Sequence, residues 1–124
     1  MSSSDAFLQR ASETLNAART LYDAGYYRES VSRAYYAMFY AVEAALLHSG
    51  HAVKTHRGTH ILFNEYFVKT GLLPEKIGID LRRGFENRQA ADYDLDLDIP
   101  EHIARQAIDK AAQFTEDLTR LIQS

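Results

Sequence analysis

The chain has 124 residues, contains no cysteine and carries a formal net charge of -3 at pH 7. This length predicts a single domain, residues 1–124, that can bury a hydrophobic core without disulfide bonds or a thiolate zinc site. No signal sequence is visible and no apolar run approaches the ~20 residues of a membrane-spanning helix, so we expect a cytoplasmic protein without membrane contact. The slightly acidic balance excludes a globally basic nucleic-acid-binding surface and leaves only a local patch for that role.

Glycines and prolines divide the chain into five predicted helices. Gly25, Gly50 and Gly71 each follow a helix-like run, where glycine accepts the left-handed backbone just past a helix end. Pro74 and Pro100 each precede a glutamate and a new periodic run, as is typical of the first turn of a helix. No hairpin signal is present, so the predicted fold class is all-α, most simply an up-and-down helical bundle. The helices are predicted at about 4–24, 27–49, 56–70, 75–92 and 100–122.

The second predicted helix is apolar on most sides, whereas the first and last each carry a single apolar stripe. One of its stripes runs from Val31 to Leu46, and a roughly opposite stripe carries tyrosines among charged residues. A helix of this kind is either central or meets a second subunit as well as its own core, so we predict a homodimer. The members of the second stripe are Glu29, Arg33, Tyr36, Tyr40, Glu43 and Leu47.

The segment SRAYYAMFYA, residues 32–41, places Arg33 and Tyr36 on that second stripe. Aromatic residues at helical spacing most often belong to a core. An arginine beside tyrosines is also typical of surfaces that bind nucleotides or RNA, through base stacking and phosphate contact. Arg33 and Tyr36 are therefore candidate ligand-binding residues as well as candidate core residues.

Four histidines lie within HSGHAVKTHRGTH, residues 48–60. His56 and His60 have the i,i+4 spacing of two metal ligands, but no HExxH glutamate lies between them and no third ligand is evident, so we predict no metal site. A surface loop followed by a helix start explains the segment. The alternative is a phosphate-binding patch, formed by Lys54, His56 and Arg57 beside the free backbone N–H groups of the third helix.

Arg88 and Asp92 lie on the apolar face of the fourth predicted helix, in register with Ile77, Leu81 and Phe85. A charge at such a position needs a partner, and the two side chains are one turn apart, so we predict that they form an ion pair. The pair is either a structural contact that fixes helix register or a guanidinium held in a groove to bind phosphate.

The segment DYDLDLDIP, residues 92–100, alternates acidic and apolar residues. A period of two predicts an extended loop whose apolar residues lie on the bundle. A calcium loop would need glycine at its sixth position and glutamate at its twelfth, where the chain has Leu97 and Ile103. No Walker or dinucleotide-binding glycine pattern is present, so no cofactor is predicted. The apolar residues of the loop are Tyr93, Leu95, Leu97 and Ile99.

Three stretches, SRAYYAMFYAVEAALLHSG, KTHRGTH and FENRQAADYD, together resemble the stand-alone HEPN domains (higher eukaryotes and prokaryotes nucleotide-binding) over about residues 5–122. The resemblance implies a helical bundle that commonly dimerises, with a charged groove at or near the dimer interface, and an association with RNA. Many members are metal-independent ribonucleases, often toxins paired with a minimal nucleotidyltransferase antitoxin. Others bind RNA or nucleotides without catalysis.

Active members of that family carry an arginine and, beyond four to six intervening residues, a histidine. The arginine corresponds to Arg88, but the histidine positions hold Tyr93, Asp94 and Leu95. Tyrosine, with an ordinary pKa of ~10, and aspartate, with one of ~3.9, are both poor bases at pH 7. Catalysis would therefore depend on Arg88 with Asp92 or Tyr93, or on a histidine of KTHRGTH from across a dimer.

We therefore expect a dimeric HEPN-type bundle that binds RNA or a nucleotide weakly, with little or no turnover, beside a nucleotidyltransferase partner. The first alternative is a metal-independent endoribonuclease toxin that uses Arg88 with an unusual base. The second alternative is a protein-interaction module in which the pair of Arg88 and Asp92 is structural.

Overall fold

The computed structural model describes residues 3–52 and 54–124, and in these residues the backbone forms five α-helices and one π-helical turn. No strand occurs in the described residues, which confirms the all-α prediction. Within the same residues, no helix combines the length and the apolar character needed to cross a membrane. The helices are α1 (Ser3–Asp23), α2 (Tyr27–His48), α3 (His56–Phe63), α4 (Glu75–Tyr93) and α5 (Glu101–Gln123).

The helix ends coincide with the glycines and prolines that predicted them. Gly25, Gly50 and Gly71 have φ angles of 86°, 83° and 82°, a left-handed conformation that residues with a Cβ atom rarely adopt. Pro74 and Pro100 have extended backbone and directly precede α4 and α5. These five residues set the chain reversals that allow the helices to pack side by side.

Helix α2 lies at the centre of the bundle, and α1, α4 and α5 all pack against it. The fully buried Ser30 hydroxyl of α2 donates a 3.0 Å hydrogen bond to the Ala18 carbonyl oxygen of α1. On another side of the core, the buried rings of Phe63 and Phe114 lie 6.1 Å apart and join α3 to α5. Because α1, α3, α4 and α5 all contact α2, the central helix sets how these elements lie relative to one another.

The second stripe of α2 is only partly covered within the chain. Tyr40 packs against Phe7 of α1 with ring centroids 6.3 Å apart, and the Arg10 guanidinium lies 5.6 Å from the centroid of the same tyrosine ring. Tyr36 is half-buried and Leu47 is exposed. Helix α1 thus covers part of the stripe and Arg88 of α4 contacts Tyr36, whereas Glu29 and Leu47 are exposed.

The third predicted helix, residues 56–70, divides into α3 and the π-helical turn Asn64–Val68. The Lys69 N–H donates to the Asn64 carbonyl oxygen, five residues earlier, at 2.8 Å. Phe67 is buried in this turn, and its ring centroid lies 5.4 Å from that of Phe63. A single inserted residue of this kind leaves little trace in apolar spacing, so the pattern predicted an uninterrupted helix.

The loop after α4 corrects the prediction that its apolar residues lie on the bundle. Tyr93 and Leu95 are 73% and 87% exposed, and Leu97 is also exposed. Ile99 does pack against a small buried cluster. The alternation of acidic and apolar residues therefore does not correspond to a buried and a solvated face.

Arg28 of α2 holds this loop through its backbone. Its guanidinium donates to the carbonyl oxygens of Ala91 and Leu97 and, at 2.9 Å, to that of Asp94. These contacts satisfy carbonyl groups at and beyond the end of α4 that lack a partner within the helix. The prediction for the loop was wrong because main-chain contacts to an arginine, rather than side-chain burial, fix its path.

Candidate functional site

Arg88 lies half-buried on α4 and reaches the facing surface of α2. Its guanidinium donates to the Tyr36 hydroxyl, and its Nε lies 3.3 Å from Oδ2 of Asp92. That Nε is buried and makes no hydrogen bond within the described residues, so its contact with Asp92 is electrostatic. The side chains of Arg88 and Asp92 are 13% and 30% exposed. The predicted ion pair is confirmed, and water reaches its carboxylate.

Arg88 also lies against two aromatic rings of α2. Its Cζ atom is 5.8 Å from the centroid of Tyr35 and 5.1 Å from the centroid of Tyr36. The Cζ atom of Arg33 is 4.7 Å from the same Tyr36 ring. Because the face of an aromatic ring attracts cations, Tyr36 brings together guanidinium groups from α2 and α4.

A tyrosine–histidine cluster, formed by Tyr35, His56 and His60, lies next to Arg88. The Tyr35 hydroxyl is within hydrogen-bond distance of the Nε2 atoms of both histidines, 2.6 Å away in the case of His60. The two imidazole rings are stacked, with centroids 5.1 Å apart and an interplanar angle of 20°. Phe39 stacks on His56 at 4.2 Å and 9°. The i,i+4 spacing thus directs both histidines to one hydroxyl of α2.

Burial keeps all three groups of this cluster uncharged near pH 7. Burial lowers the pKa of His56, and the positive charge of Arg88 lowers it further. Burial, together with the neighbouring His56, lowers the pKa of His60 to about 4. Burial also raises the pKa of the Tyr35 hydroxyl, although Arg88 opposes this effect. The cluster therefore presents neutral imidazoles beside a permanent cation.

The cluster borders an open groove with a volume of about 780 Å³. Guanidinium groups from α3 and α4 and one phenylalanine ring face this space. A guanidinium binds phosphate through two parallel hydrogen bonds, and an aromatic ring can stack on a base. The arrangement is suited to holding a phosphorylated, aromatic ligand. The residues that line the groove are His56, Arg57, His60, Arg82, Phe85 and Arg88.

The structure brings part of the predicted site to this groove. His56, Arg57 and Arg88 line it, and Tyr36 contacts Arg88 from α2. Arg33 shares the Tyr36 ring but borders a separate depression that also contains Asp92.

Two other predicted residues are not among those that line the groove. Tyr93, at the end of α4, is exposed, although it interacts electrostatically with Arg88. Lys54 is exposed in the loop before α3, outside the set of residues that line the groove. At the start of α3, the Thr55 hydroxyl oxygen accepts a 2.9 Å hydrogen bond from the Gly58 N–H. This cap satisfies one of the free N–H groups on which the predicted phosphate patch relied.

Three groove residues were not identified as such from the sequence. Arg82 and Phe85 precede Arg88 at steps of three residues, which places them near Arg88 on one face of α4. This spacing could have been recognised in the sequence. His60 was considered as a metal ligand and, with His56, as a base from across a dimer, but not as a residue of this groove. Within the part of the chain that the structure describes, no group of three metal-binding side chains is present.

Known proteins match this chain over most of its length. A sequence model of the HEPN domain family matches residues 4–121, a range that contains every residue lining the groove. A UPF0332 protein of Thermotoga maritima is 36% identical over 93% of this chain and 87% of its own. A Methanocaldococcus jannaschii protein named "Putative toxin" is 33% identical over 95% of this chain and 87% of its own. A UPF0332 protein of Gloeobacter violaceus is 41% identical over 69% of this chain and 68% of its own.

Proposed function

Since the chain belongs to the HEPN domain family, we propose that it binds the phosphate groups of RNA or of a nucleotide in the groove beside Arg88. The observation that carries this proposal is that Arg57, Arg82 and Arg88 line one groove together with Phe85. The arginines supply planar donors for phosphate, and the ring supplies a stacking surface for a base. Because the chain as a whole has a net charge of -3, binding is local and sensitive to salt.

The names of the relatives support a toxin context for this binding. Two Methanocaldococcus jannaschii proteins, 33% and 34% identical to this chain, are named "Putative toxin". The family resemblance implies pairing with a minimal nucleotidyltransferase that acts as antitoxin. We propose that this chain works in the cytoplasm beside such a partner.

Neutralising two exposed arginines of the groove is expected to weaken RNA binding about tenfold. The double variant Arg57→Gln/Arg82→Gln removes two of the proposed phosphate contacts, which also lowers the dependence of log affinity on log salt by about 1.4 for a single strand. The measurement is fluorescence anisotropy of a labelled single-stranded RNA oligonucleotide at several salt concentrations, repeated with ATP as a competitor.

The matched control for this variant is Arg19→Gln/Arg120→Gln, which makes the same change in net charge at exposed positions of α1 and α5. It is expected to retain the wild-type affinity within about twofold, because these residues lie outside the groove. Equal losses in both double variants would show that binding is a property of net charge. Absence of binding by the wild-type chain at low salt would refute the proposal itself.

We also propose that the chain forms a homodimer through the uncovered part of the second stripe of α2. Glu29 and Leu47 are exposed there, and Arg33 is half-buried. Light scattering of the isolated chain at micromolar concentration is expected to give about twice the chain mass of 14.1 kDa. A mass equal to that of one chain would contradict the proposal.

A further inference from the structure

The Tyr35 hydroxyl is within hydrogen-bond distance of both His56 and His60, so the three side chains can share protons. Both imidazoles are neutral and both Nε2 atoms contact the Tyr35 hydroxyl, which has only one proton. The arrangement that uses the hydroxyl both as donor and as acceptor has one Nε2 accept that proton while the other Nε2 donates its own proton to the Tyr35 oxygen. In that arrangement the two rings hold opposite tautomers: one has a lone pair at Nδ1, and the other has a proton at Nδ1.

With opposite tautomers, one imidazole of the pair His56 and His60 can act as a base and the other as an acid. The ring with a free Nδ1 can accept a proton, the ring with a protonated Nδ1 can release one, and the Tyr35 hydroxyl connects them. Cleavage of RNA by its own 2′-hydroxyl needs both a base for that hydroxyl and an acid for the departing oxygen. Both rings line the groove that contains Arg88, so a phosphate bound there would lie beside them.

We propose that His56, Tyr35 and His60 form a proton relay for metal-independent cleavage of an RNA phosphodiester held at Arg88. This proposal rests on the proposed binding of RNA in the groove. The 2′-oxygen forms a bond to the adjacent phosphorus, and the bond from phosphorus to the 5′-oxygen breaks. The guanidinium of Arg88 stabilises the negative charge that develops on the phosphoryl oxygens. The products are a 2′,3′-cyclic phosphate and a free 5′-hydroxyl, and no co-reactant is consumed.

The protons of this reaction balance through the relay. The 2′-hydroxyl proton passes to Nδ1 of the first ring, and the Nε2 proton of that ring passes to the Tyr35 oxygen. The Tyr35 proton passes to Nε2 of the second ring, whose Nδ1 proton goes to the departing 5′-oxygen. After one turnover the two rings have exchanged tautomers, and the total number of protons on the cluster is unchanged.

The relay supplies the function that the residues following Arg88 in sequence lack. Positions 93–95 hold no histidine, and this absence led to the expectation of little turnover. Helix α3 instead provides two imidazoles beside Arg88 within the same chain. A dimer is therefore not needed to bring a base to the arginine.

The experiment incubates the purified full-length chain with an end-labelled single-stranded RNA in the presence of EDTA, with DNA of the same sequence as substrate control. We expect cleavage of the RNA only, with 2′,3′-cyclic phosphate ends. His56→Gln and His60→Gln are each expected to slow cleavage by about 10²–10⁴-fold, because each removes one proton-transfer group. His102→Gln, at an exposed position of α5, is the matched control and should cleave at the wild-type rate.

Tyr35→Phe tests the relay itself, since it keeps both imidazoles and removes the hydroxyl that connects them. It is expected to slow cleavage at least about 100-fold. Unchanged RNA affinity, measured on the same preparations, shows that the folded groove persists. If Tyr35→Phe cleaves like wild type while the histidine variants do not, transfer through Tyr35 is refuted.

A second measurement tests the relay without any variant. Nitrogen-15 NMR of the wild-type chain at pH 7 is expected to show one of the two rings protonated at Nδ1 and the other at Nε2. Two rings in the same tautomer would overturn the relay. RNA binding without cleavage by the wild-type chain would also overturn it and leave the proposed function standing, whereas failure to bind RNA would remove both.

Discussion

Replacing Arg88 by alanine is expected to weaken RNA binding by about 10–100-fold and to lower the free energy of unfolding by about 1–3 kcal/mol. The loss of affinity corresponds to one charge-assisted hydrogen-bonding group at a phosphate. The loss of stability reflects the hydrogen bond to Tyr36 and the contacts with two tyrosine rings. This loss in the free energy of unfolding is smaller than the ~3–5 kcal/mol typical of breaking a fully buried ion pair. The reason is that the Asp92 side chain is 30% exposed, so water can hydrate its carboxylate. Urea unfolding and fluorescence anisotropy measure the two effects.

Asp92→Asn separates the functional interpretation of the ion pair from the structural one. The variant keeps Arg88 and removes the carboxylate that competes with a bound phosphate, so RNA affinity should be retained or increased. If the pair were only structural, Asp92→Asn and Arg88→Ala would lose similar stability and RNA binding would follow the folded fraction. Loss of affinity in Asp92→Asn equal to that in Arg88→Ala would contradict the functional interpretation.

Arg88→Lys refines the same test. Lysine keeps the positive charge but lacks the planar fork, so it cannot donate to Tyr36 and contact Asp92 in the geometry observed here. We expect partial binding, between that of the wild type and that of Arg88→Ala. Full binding in the lysine variant would show that charge alone is sufficient at this position.

The fold was predictable because its signals are local. A glycine such as Gly25 ends a helix through its own backbone conformation, and a proline such as Pro100 starts one through its fixed φ angle. The path of the loop after α4 depends instead on Arg28, which contacts carbonyl groups 63 to 69 positions away in sequence. No pattern within residues 92–100 contains that information.

The site shows the same division between local and distant contacts. The pair of Arg88 and Asp92 followed from one turn of helix spacing, and the structure confirms it. The hydrogen bond from Arg88 to Tyr36 joins residues 52 positions apart, and it depends on how α4 lies against α2. Likewise, i,i+4 spacing placed His56 and His60 on one face, but only the packing of α3 shows that this face meets Tyr35. The sequence therefore predicts which residues share a face of each helix, but it does not predict which side chains of different helices come into contact.

The pKa of His60 gives the folded state a dependence on pH that can be isolated by mutation. The pKa is about 4 in the folded chain and near its ordinary value of ~6.5 in the unfolded chain. Between these values the unfolded chain binds a proton that the folded chain does not, so this contribution to stability is fully present above pH ~6.5 and is lost as pH falls toward 4. The titratable groups around the ring are Tyr35 from α2 and His56 from α3, with Arg57, Arg82 and Arg88 along the same groove. Glu75 of α4 lines a second depression with His60 but is not among the causes that shift its pKa. The groups along the groove therefore supply no negative charge that would stabilise an imidazolium at His60.

His60→Gln is therefore expected to remove about 1–2 kcal/mol of the stability that the wild-type chain loses between pH 7 and pH 4.5. This figure is smaller than the full linkage value for such a shift, because the ring borders an open groove and solvent screens its charge. Acid protonation of carboxylates contributes equally to both chains, so the difference between their urea-unfolding free energies at each pH isolates His60. His102→Gln, which changes an exposed histidine of α5, should follow the wild-type curve. A difference between wild type and His60→Gln that stays constant across this range would show that the folded chain accepts a proton at His60 as readily as the unfolded chain does. The proposed relay needs a neutral His60, because a protonated ring has no lone pair with which to accept a proton, so this titration also sets the lower pH limit of the relay.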